Sequence, residues 1–408
     1  MTGRAATVAL VGADGHGRWH RREIARLQRA GRVRLVGVCD VKPVRDEPDA
    51  PLPAGVPCVT DYRELLATTR PDVVVVCTPP HTHLEIAVAA ARAGADVLLE
   101  KPPVMDLAEH AELRRVLAET GRVCQVNFQA LGSAALARLT AAIASGRLGR
   151  VTRIAAVGAW QRPDSYYRRA PWAGRRWLAG RRVIDGALVN PFAHAVMQCL
   201  AVAEAAGPPP SVIELEVERY RARPIEVDDT AVLRLRAEGA PPVVVAVTLC
   251  GDDVVPGEVM VDTDRGRAVL WYTADRLRLP GEPDARVVPG RTSLLENLLA
   301  HRRDPGVQLL AGLDRTVVFT AVAQEVAGAG VPPLIPQAYH RVVTDAGERT
   351  VTVPGVSRML RCAAERHALL GELGVPWAAP AHRATVRTGG TGPVDVADLR
   401  GKGVSTQA

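Results

Sequence analysis

Short apolar runs alternate with longer amphipathic stretches over the first 125 or so residues. This pattern predicts strands at 7–11, 33–39, 73–77, 97–99 and 123–126, and helices at 18–30, 62–68, 84–93 and 107–119. The strand segments are almost continuous in Val and Leu, which is typical of strands that are buried on both faces of a parallel sheet. We therefore predict a doubly wound α/β domain of the Rossmann type over residues 1–128.

The pattern becomes one of alternating apolar and polar residues after Gly149. It predicts strands at 152–157, 213–220, 230–236, 243–248, 258–262 and 268–272, and helices at 293–300 and 313–327. Successive alternating strands separated by short gaps indicate a large, mostly antiparallel sheet. We assign residues 129–330 to a second, α+β domain that is built on this sheet.

The last quarter of the chain fits neither pattern. Residues 331–377 are rich in proline and end in a helix-like segment at 356–373, so we treat them as a C-terminal extension that either covers the active site or contacts another subunit. Residues 378–408 are rich in glycine and poor in large apolar residues, and we expect them to be disordered.

The composition excludes several classes of protein. The chain has 408 residues, of which 47% are hydrophobic, and shows neither an apolar run that could span a membrane nor an export signal. Its seven cysteines are at least 19 residues apart, which excludes Cys-x-x-Cys metal sites and a disulfide framework. We expect a reducing, cytoplasmic compartment and no metal. The net charge of +7 comes from arginines that alternate with acids, so we expect a solvated surface without nucleic acid or membrane partners.

Lysine is scarce in this sequence. Of the 51 basic residues only three are lysines, namely Lys42, Lys101 and Lys402. Codon bias explains an excess of arginine but does not explain where the lysines lie. Arginine cannot release its proton near neutral pH, whereas a lysine whose pKa is depressed can do so. Each lysine position is therefore worth inspecting.

A glycine-rich turn follows the first predicted strand. It reads Gly12-Ala13-Asp14-Gly15-His16-Gly17 and leads directly into a helix, the arrangement that holds a pyrophosphate against a helix N-terminus. Position 14, where the G-x-G-x-x-G pattern has glycine, is an aspartate. We expect Asp14 to turn away from the phosphates or to cap the helix.

A carboxylate ends the second predicted strand. Asp40 is placed to accept hydrogen bonds from a ribose diol, although it lies 28 residues after Gly12, whereas the usual distance is about 20. Its charge would repel a 2′-phosphate, so the sequence favours NAD over NADP. Lys42 and Arg45 follow closely, and because their positive charges would reduce this repulsion, NADP stays the alternative.

Three further motifs make the chain resemble the Gfo/Idh/MocA oxidoreductases, the glucose-fructose oxidoreductase and inositol dehydrogenase family. They are Cys77-Thr78-Pro79-Pro80-His81-Thr82-His83, Glu100-Lys101-Pro102 and Asn190-Pro191-Phe192-Ala193-His194. The resemblance covers residues 5–330. It implies a Rossmann domain, an open-faced second sheet through which a dimer or tetramer forms, a nicotinamide cofactor and a sugar or cyclitol substrate.

The resemblance and the motifs together give a set of cofactor-binding residues. The candidates are Gly12, Gly15, His16, Gly17, Asp40, Thr78, Pro79, His83, Glu100 and Lys101. Of these, Thr78 and Pro79 are implied to line the cofactor, and His83 to begin the next helix.

Oxidation of an alcohol needs a base that takes the hydroxyl proton, and Lys101 is the leading candidate. It follows a strand at the edge where doubly wound sheets bind ligands. The resemblance implies that Lys101 bonds the reacting oxygen and that His194 is a second acid/base, oriented by an aspartate four residues before it. That position is Asn190 here. Asparagine has no charge with which to raise the pKa of His194, so the sequence favours Lys101 over His194 as the proton acceptor.

Aromatic residues are rare but clustered before His194. The chain has 6 Trp, 6 Tyr and 3 Phe, and five of these 15 fall between positions 160 and 177, among several arginines. We interpret this stretch as a loop over the active site, because aromatic faces stack on sugar rings and arginines bind hydroxyls or carboxylates. A subunit contact is the alternative. The candidate substrate-binding residues are Trp160, Arg162, Tyr166, Tyr167 and Trp172.

These observations predict an NAD(P)-dependent oxidoreductase that acts on a secondary hydroxyl, or the matching ketone, of a sugar, cyclitol or glycoside. Two alternatives remain open. One is an NAD-dependent glycosidase or lyase that oxidises its substrate only transiently. The other is a non-catalytic regulator that retains the nucleotide-binding fold.

Overall fold

The structure is a computed structural model that describes residues 4–345 and 347–388. Its first sheet is parallel throughout, with strand order β3-β2-β1-β4-β5-β6. The strands are β1 (Ala6–Val11), β2 (Val33–Cys39), β3 (Cys58–Val59), β4 (Val73–Val76), β5 (Asp96–Leu99) and β6 (Cys124–Val126). The helices are α1 (Gly17–Arg29), α2 (Tyr62–Thr69), α3 (His83–Arg92) and α4 (Leu107–Thr120). The predicted doubly wound domain is confirmed.

The burial pattern explains why these segments fold as they do. All four valines of β4 are buried, as expected for a strand covered on both faces. Helix α1 buries His20, Ile24 and Leu27, which recur every three or four residues along one side. The strand order reverses between β1 and β4, so the carboxyl ends of these strands flank the crevice where such sheets bind ligands. The two-residue strand β3 was not predicted, since it is too short to show a pattern.

A second, nine-stranded sheet has the order β16-β15-β14-β13-β7-β12-β11-β10-β19. Its strands are β7 (Val151–Gln161), β10 (Val212–Tyr220), β11 (Thr230–Arg236), β12 (Val243–Thr248), β13 (Cys250–Thr263), β14 (Gly266–Trp271), β15 (Arg276–Arg278), β16 (Arg286–Val287) and β19 (His382–Arg387). All neighbouring pairs are antiparallel except β7 and β12. The predicted mostly antiparallel sheet is confirmed. Strand β13 is much longer than predicted, because register shifts and Pro256 interrupt its alternation.

The remaining elements surround this sheet. They are α5 (Ala134–Ala144), α6 (Ala193–Ala206), α7 (Leu294–Arg303), α8 (Val317–Gly328), α9 (Val356–Arg366) and two small strand pairs, β8 (Trp177–Leu178) with β9 (Arg181–Arg182) and β17 (Arg341–Asp345) with β18 (Glu348–Thr352). Helix α5 was not predicted, although Ser133 caps its first turn by accepting a hydrogen bond from the Leu136 amide. Within the described residues no helix is both long and apolar enough to cross a membrane.

The second sheet is covered on both faces, whereas the resemblance implied an open face. In β12, Val243, Val245 and Val247 join the main core with α6, while Val244 and Ala246 face a second cluster built with α9. Helix α9 buries Val356, Leu360, Ala363 and Ala364, which share one side of the helix. The C-terminal extension therefore occupies sheet surface that we had assigned to subunit contacts. Oligomerisation through this sheet remains a prediction.

Two expectations about the C-terminal end were wrong. The helix predicted at 356–373 ends at Arg366, because His367 takes a left-handed backbone conformation with a φ of 54°. The segment expected to be disordered from residue 378 contains β19, which pairs with β10 at the edge of the second sheet and buries Val386. An edge strand has one exposed flank and needs few apolar side chains, so β19 lacks the apolar pattern by which a buried strand is predicted. The rest of that segment, 389–408, lies outside the described residues.

Candidate active site

A cavity of about 660 Å³ lies between the Rossmann domain and the second domain, at the carboxyl ends of β4 and β5. Residues from both domains line it, as expected for a site at the switch point of a doubly wound sheet. The predicted site residues among its lining are Gly15, His16, Thr78, Pro79, Glu100, Lys101, Trp160, Arg162, Tyr166, Trp172, Asn190 and His194. Five predicted residues do not line the cavity: Gly12, Gly17, Asp40, His83 and Tyr167.

The glycines of the first loop have different tasks. A Cβ on Gly12, whose φ is +85°, would lie 2.1 Å from the Cys77 carbonyl oxygen, and a Cβ on Gly17 would lie 2.0 Å from the Gly12 oxygen. These two glycines allow the loop, strand and helix to approach each other closely. Gly15, with a φ of +56°, has no protein atom within 4 Å of its Cβ position. The loop therefore leaves open space at Gly15, directly before the N-terminus of α1.

The two aspartates near this loop stabilise its conformation. Asp14 pairs with Arg18 at 2.7 Å, and hydrogen bonds from the Gly15 amide and from Arg18 lower the pKa of Asp14. One carboxylate oxygen of Asp40 accepts hydrogen bonds from the amides of Ala13 and Asp14, at 2.9 and 3.0 Å. The negative charge of Asp14 is thus balanced by an arginine, as expected if it turns away from a phosphate. Contact between Asp40 and a ribose remains a prediction.

These features fit a dinucleotide. The open space beside Gly15, the start of α1 without a side-chain cap, and the carboxylate at the end of β2 are the parts that a pyrophosphate and its adjoining ribose require. Gly15 and the first turn of α1 would hold the pyrophosphate, and Thr78 and Pro79 would line the neighbouring part of the cavity.

His83 supports the cofactor loop from behind, and its assignment as a cofactor contact is corrected. The side chain is completely buried, and its two ring nitrogens each lie 2.8 Å from a backbone oxygen, one of Thr78 and one of Pro102. Burial lowers the pKa of His83. A residue that is enclosed in this way cannot touch a ligand, but it joins the loop after β4 to the loop after β5.

Glu100 is the centre of a buried hydrogen-bond cluster. Its carboxylate lies 2.8 Å from His20 and 3.4 Å from His16, and it accepts a 2.6 Å bond from Asn127. Burial raises the pKa of Glu100, but the bonds from His16 and His20 outweigh this effect and keep the pKa well below its usual value. The spacing of His16, His20 and Glu100 could also hold a metal ion. Sequence reasoning missed His20, which lies one helical turn after His16.

Lys101 extends from the end of β5 to the second domain. Its ammonium donates a 3.1 Å hydrogen bond to the Asn190 backbone oxygen and another to the Asn190 side-chain oxygen. Burial lowers the pKa of Lys101, and the charges of Glu100 and Asp185 only partly oppose that effect. The lowered pKa brings a lysine closer to the range in which it can exchange a proton.

Asp185 is a residue of this site that sequence reasoning missed. It is buried and accepts hydrogen bonds from the side chains of Asn190, at 2.5 Å, and Arg169, at 2.6 Å, and from the Gly174 amide, at 2.9 Å. The chain Asp185–Asn190–Lys101 thus places a carboxylate two hydrogen bonds from the lysine. The available signal was a single acid within the otherwise apolar run of residues 183–189.

His194 lines the cavity but is poorly suited to carry a proton. Its ring packs edge-to-face on Phe128, and its Nδ1 is buried without a hydrogen-bond partner among the described residues. Burial and the nearby charge of Lys101 lower the pKa of His194 to about 3. The imidazole is therefore neutral across the physiological range, and no described carboxylate pairs with it.

Aromatic rings and arginines form the second-domain wall of the cavity. The Arg162 guanidinium lies over the rings of Trp160 and Tyr166, at 5.0 and 5.3 Å, and Arg169 lies over Tyr166 at 3.9 Å and over Trp172 at 4.7 Å. Alternating cations and π-faces stabilise this wall.

Tyr167, which we also assigned to the substrate, needs correction. It does not line the cavity; its ring lies 5.2 Å from the Arg223 guanidinium, and its hydroxyl is buried. In this short 3-10 turn, Tyr166 and Tyr167 face different surroundings. The sequence could not distinguish two adjacent tyrosines.

The C-terminal extension holds the loop that carries this wall. Asp164 pairs with Arg349 of the extension at 2.7 Å and with the buried Arg223 at 3.1 Å. Pro163 and Thr350 form an isolated antiparallel bridge. The extension therefore contacts the substrate loop from outside the cavity, and its own residues are not among those that line it.

Residues 6–128 match the family model described as "Oxidoreductase family, NAD-binding Rossmann fold", of the Gfo/Idh/MocA group. The chain is 39% identical over 92 residues to a 1,5-anhydro-D-fructose reductase from Ensifer adhaerens. The matched segment covers 22% of this chain and 28% of that protein. The chain is also 35% identical over 153 residues to inositol 2-dehydrogenase 4 from Saccharopolyspora erythraea, and this matched segment covers 37% of this chain and 44% of that protein. The matches thus span less than half of these relatives.

A solved structure resembles the chain over a greater length. The WlbA dehydrogenase from Bordetella pertussis, in complex with NADH and UDP-GlcNAcA, superimposes with a TM-score of 0.63 and 23% identity, over 82% of this chain and 99% of that one. At this identity the likeness shows the fold. Residues 6–128 match the Gfo/Idh/MocA family model, so the predicted resemblance and the NAD-binding Rossmann fold are confirmed.

Proposed function

We propose that this protein is an NAD-dependent oxidoreductase that interconverts a secondary hydroxyl and a ketone on a sugar, cyclitol or glycoside. The observation that carries the proposal is the position of Lys101. A lysine with a lowered pKa lies at the end of β5, in a cavity that a dinucleotide-binding loop and an aromatic wall both line. NADP remains the alternative cofactor, and the cytoplasm remains the expected compartment.

A bound nicotinamide would supply the hydride acceptor or donor. The protein's own part is to position the substrate and to move one proton. Neutral Lys101 accepts the proton of the substrate hydroxyl during oxidation, and its ammonium returns a proton to the carbonyl oxygen during reduction. Asn190 fixes the Nζ of Lys101 through two oxygen atoms, and Asp185 fixes Asn190.

The remaining cavity residues favour a polyhydroxylated ring as the substrate. Trp160 and Trp172 offer apolar faces on which the C–H side of a sugar ring can stack. Gln129, Asn127 and Asn190 also line the cavity and supply amide groups that can bond to ring hydroxyls.

The test is oxidation by the purified protein of 408 residues. The protein is mixed with NAD or NADP and a panel of sugars, sugar acids, inositols and glycosides, while absorbance at 340 nm reports the reduced cofactor. We expect accumulation of NADH with at least one substrate and its loss in Lys101→Arg. Cleavage of a glycoside without net NADH would instead support a transiently oxidising glycosidase or lyase. Absence of both NADH formation and cofactor binding would contradict the proposal.

A further inference from the structure

Arg162 occupies a fixed position on the cavity wall. It directly follows β7, its amide donates a 3.1 Å hydrogen bond to the Leu249 oxygen, and its own carbonyl oxygen accepts a 2.6 Å bond from Arg223. The side chain is half-buried and lies over Trp160 and Tyr166. Both its backbone and its guanidinium are therefore held in place before any ligand arrives.

The charge of Arg162 has no internal partner. Within residues 4–345 and 347–388, no carboxylate lies within ion-pair distance of it, whereas Arg169 pairs with Asp185 and Arg223 pairs with Asp164. Stacking on aromatic rings occupies the faces of a guanidinium and leaves the N–H groups at its edge for hydrogen bonds. One of them, at Nη1, donates a long 3.4 Å bond to the Gln161 backbone oxygen. Those N–H groups form the planar fork that binds a carboxylate through two hydrogen bonds.

The cavity as a whole carries an excess of positive charge. Among its lining residues that the structure describes, Arg162 and Arg169 are permanently cationic, Lys101 is cationic whenever it holds its proton, and Glu100 is the single carboxylate. Glu100 is already bonded to His20 and Asn127. A neutral sugar would leave the Arg162 cation partly desolvated without compensation, which is unfavourable.

We infer that the substrate is a sugar acid whose carboxylate binds Arg162, an inference that rests on the proposed oxidoreductase function. A carboxylate fits better than a phosphate ester, since one unpaired arginine matches a single negative charge. Arg169 is committed to Asp185, and Lys101 is held by Asn190 beside the reacting oxygen. The acid group and the oxidised hydroxyl therefore lie at opposite walls of the cavity.

Matched pairs of sugars test this inference in two ways. D-glucuronate is compared with D-glucose and D-galacturonate with D-galactose, with glucose 6-phosphate as a separate arm. Binding is followed by the fluorescence of the cavity tryptophans in the presence of NADH, and turnover by absorbance at 340 nm. We expect the acids to bind at least about 10-fold more tightly than their neutral partners.

The variants are Arg162→Gln and, as a matched control, Arg168→Gln. Arg168 is an exposed arginine of the same loop that does not line the cavity. Arg162→Gln should weaken acid binding by about 10- to 100-fold, mainly through KM, and should reduce the preference for each acid over its neutral partner by about the same factor. The control should retain wild-type preference.

Three results would overturn the inference. They are equal binding of acids and neutral sugars, an equal loss for both in Arg162→Gln, or tight binding of the phosphate ester alone. Oxidation of neutral sugars alongside any of them would leave the proposed function intact. If an acid binds tightly through Arg162 but no sugar yields NADH, the proposed oxidoreductase function is contradicted, whereas the carboxylate site at Arg162 is supported.

Discussion

The two walls of the cavity are built in different ways. On the Rossmann side, Glu100 and Lys101 follow one strand and are tied into a dense set of short hydrogen bonds. On the second-domain side, Trp160, Arg162 and Tyr166 come from a strand end and a loop, and they are held by stacking and by the C-terminal extension. A rigid strand end suits proton transfer, which needs fixed distances, whereas a loop suits the choice of substrate.

Asp185 and Asn190 connect these walls. They belong to the second domain, yet Asn190 holds the lysine of the first. The electrostatic setting of the reaction therefore depends on both domains. If the first wall provides chemistry and the second provides selectivity, variants on the two sides should differ in which kinetic constant they change.

The largest effect should come from Lys101→Arg. Arginine keeps the positive charge but cannot exchange a proton near neutral pH, so kcat should fall by about 10²- to 10⁴-fold, with a small change in KM. Steady-state rates at 340 nm measure this. Lys402→Arg is the matched control. If kcat for Lys101→Arg stays within a few-fold of wild type, Lys101 is not the residue that transfers the proton.

Asp40→Ala should have the next largest effect. Loss of a charged acceptor at the ribose should raise KM for NAD by about 10- to 100-fold and narrow the preference for NAD over NADP. Because Asp40 also holds the glycine loop, KM for NADP is the decisive control. If KM rises equally for both cofactors, Asp40 serves the loop alone.

Asn190→Asp and Asp185→Asn should move the pH profile in opposite directions. Lys101 must be neutral to accept a proton, so kcat/KM for oxidation rises as the pH passes its pKa. A carboxylate at position 190 stabilises the ammonium and should move this rise about 1 pH unit higher. The negative charge of Asp185 raises the pKa of Lys101. Asp185→Asn removes that charge and should therefore move the rise in kcat/KM to lower pH. Shifts in the same direction would disprove this electrostatic link.

His194→Gln should have the smallest effect. With a pKa of about 3 the imidazole stays neutral above pH 5, so its replacement should cost less than about 10-fold in kcat and leave the pH midpoint unchanged. A loss as large as that of Lys101→Arg, or the disappearance of a midpoint near pH 6, would restore His194 as the acid/base.

The sequence was most informative where one residue type has few alternatives. Gly12 and Gly17 could be predicted because no side chain fits where their backbones meet, and Lys101 because it follows a buried strand in a chain with three lysines. The first sheet could be predicted because strands buried on both faces are continuous in apolar residues.

Other features depend on contacts between distant segments, which a linear pattern does not reveal. His83 has the spacing of a site residue, yet its surroundings enclose it completely. Asp185 is an isolated acid in the linear sequence, and only the folded chain places Arg169 and Asn190 beside it. The covering of the second sheet by α9 required knowing which face each valine of β12 occupies.

The scarcity of lysine makes the central claim directly measurable. Protein labelled with ¹³C at lysine Cε and titrated by NMR contains only three such residues, Lys42, Lys101 and Lys402, and Lys101→Arg identifies the resonance of interest. The account predicts that this resonance titrates below the ordinary lysine pKa of 10.5 and moves lower still in Asp185→Asn. A Lys101 resonance that titrates at or above 10.5, and does not respond to Asp185→Asn, would contradict it.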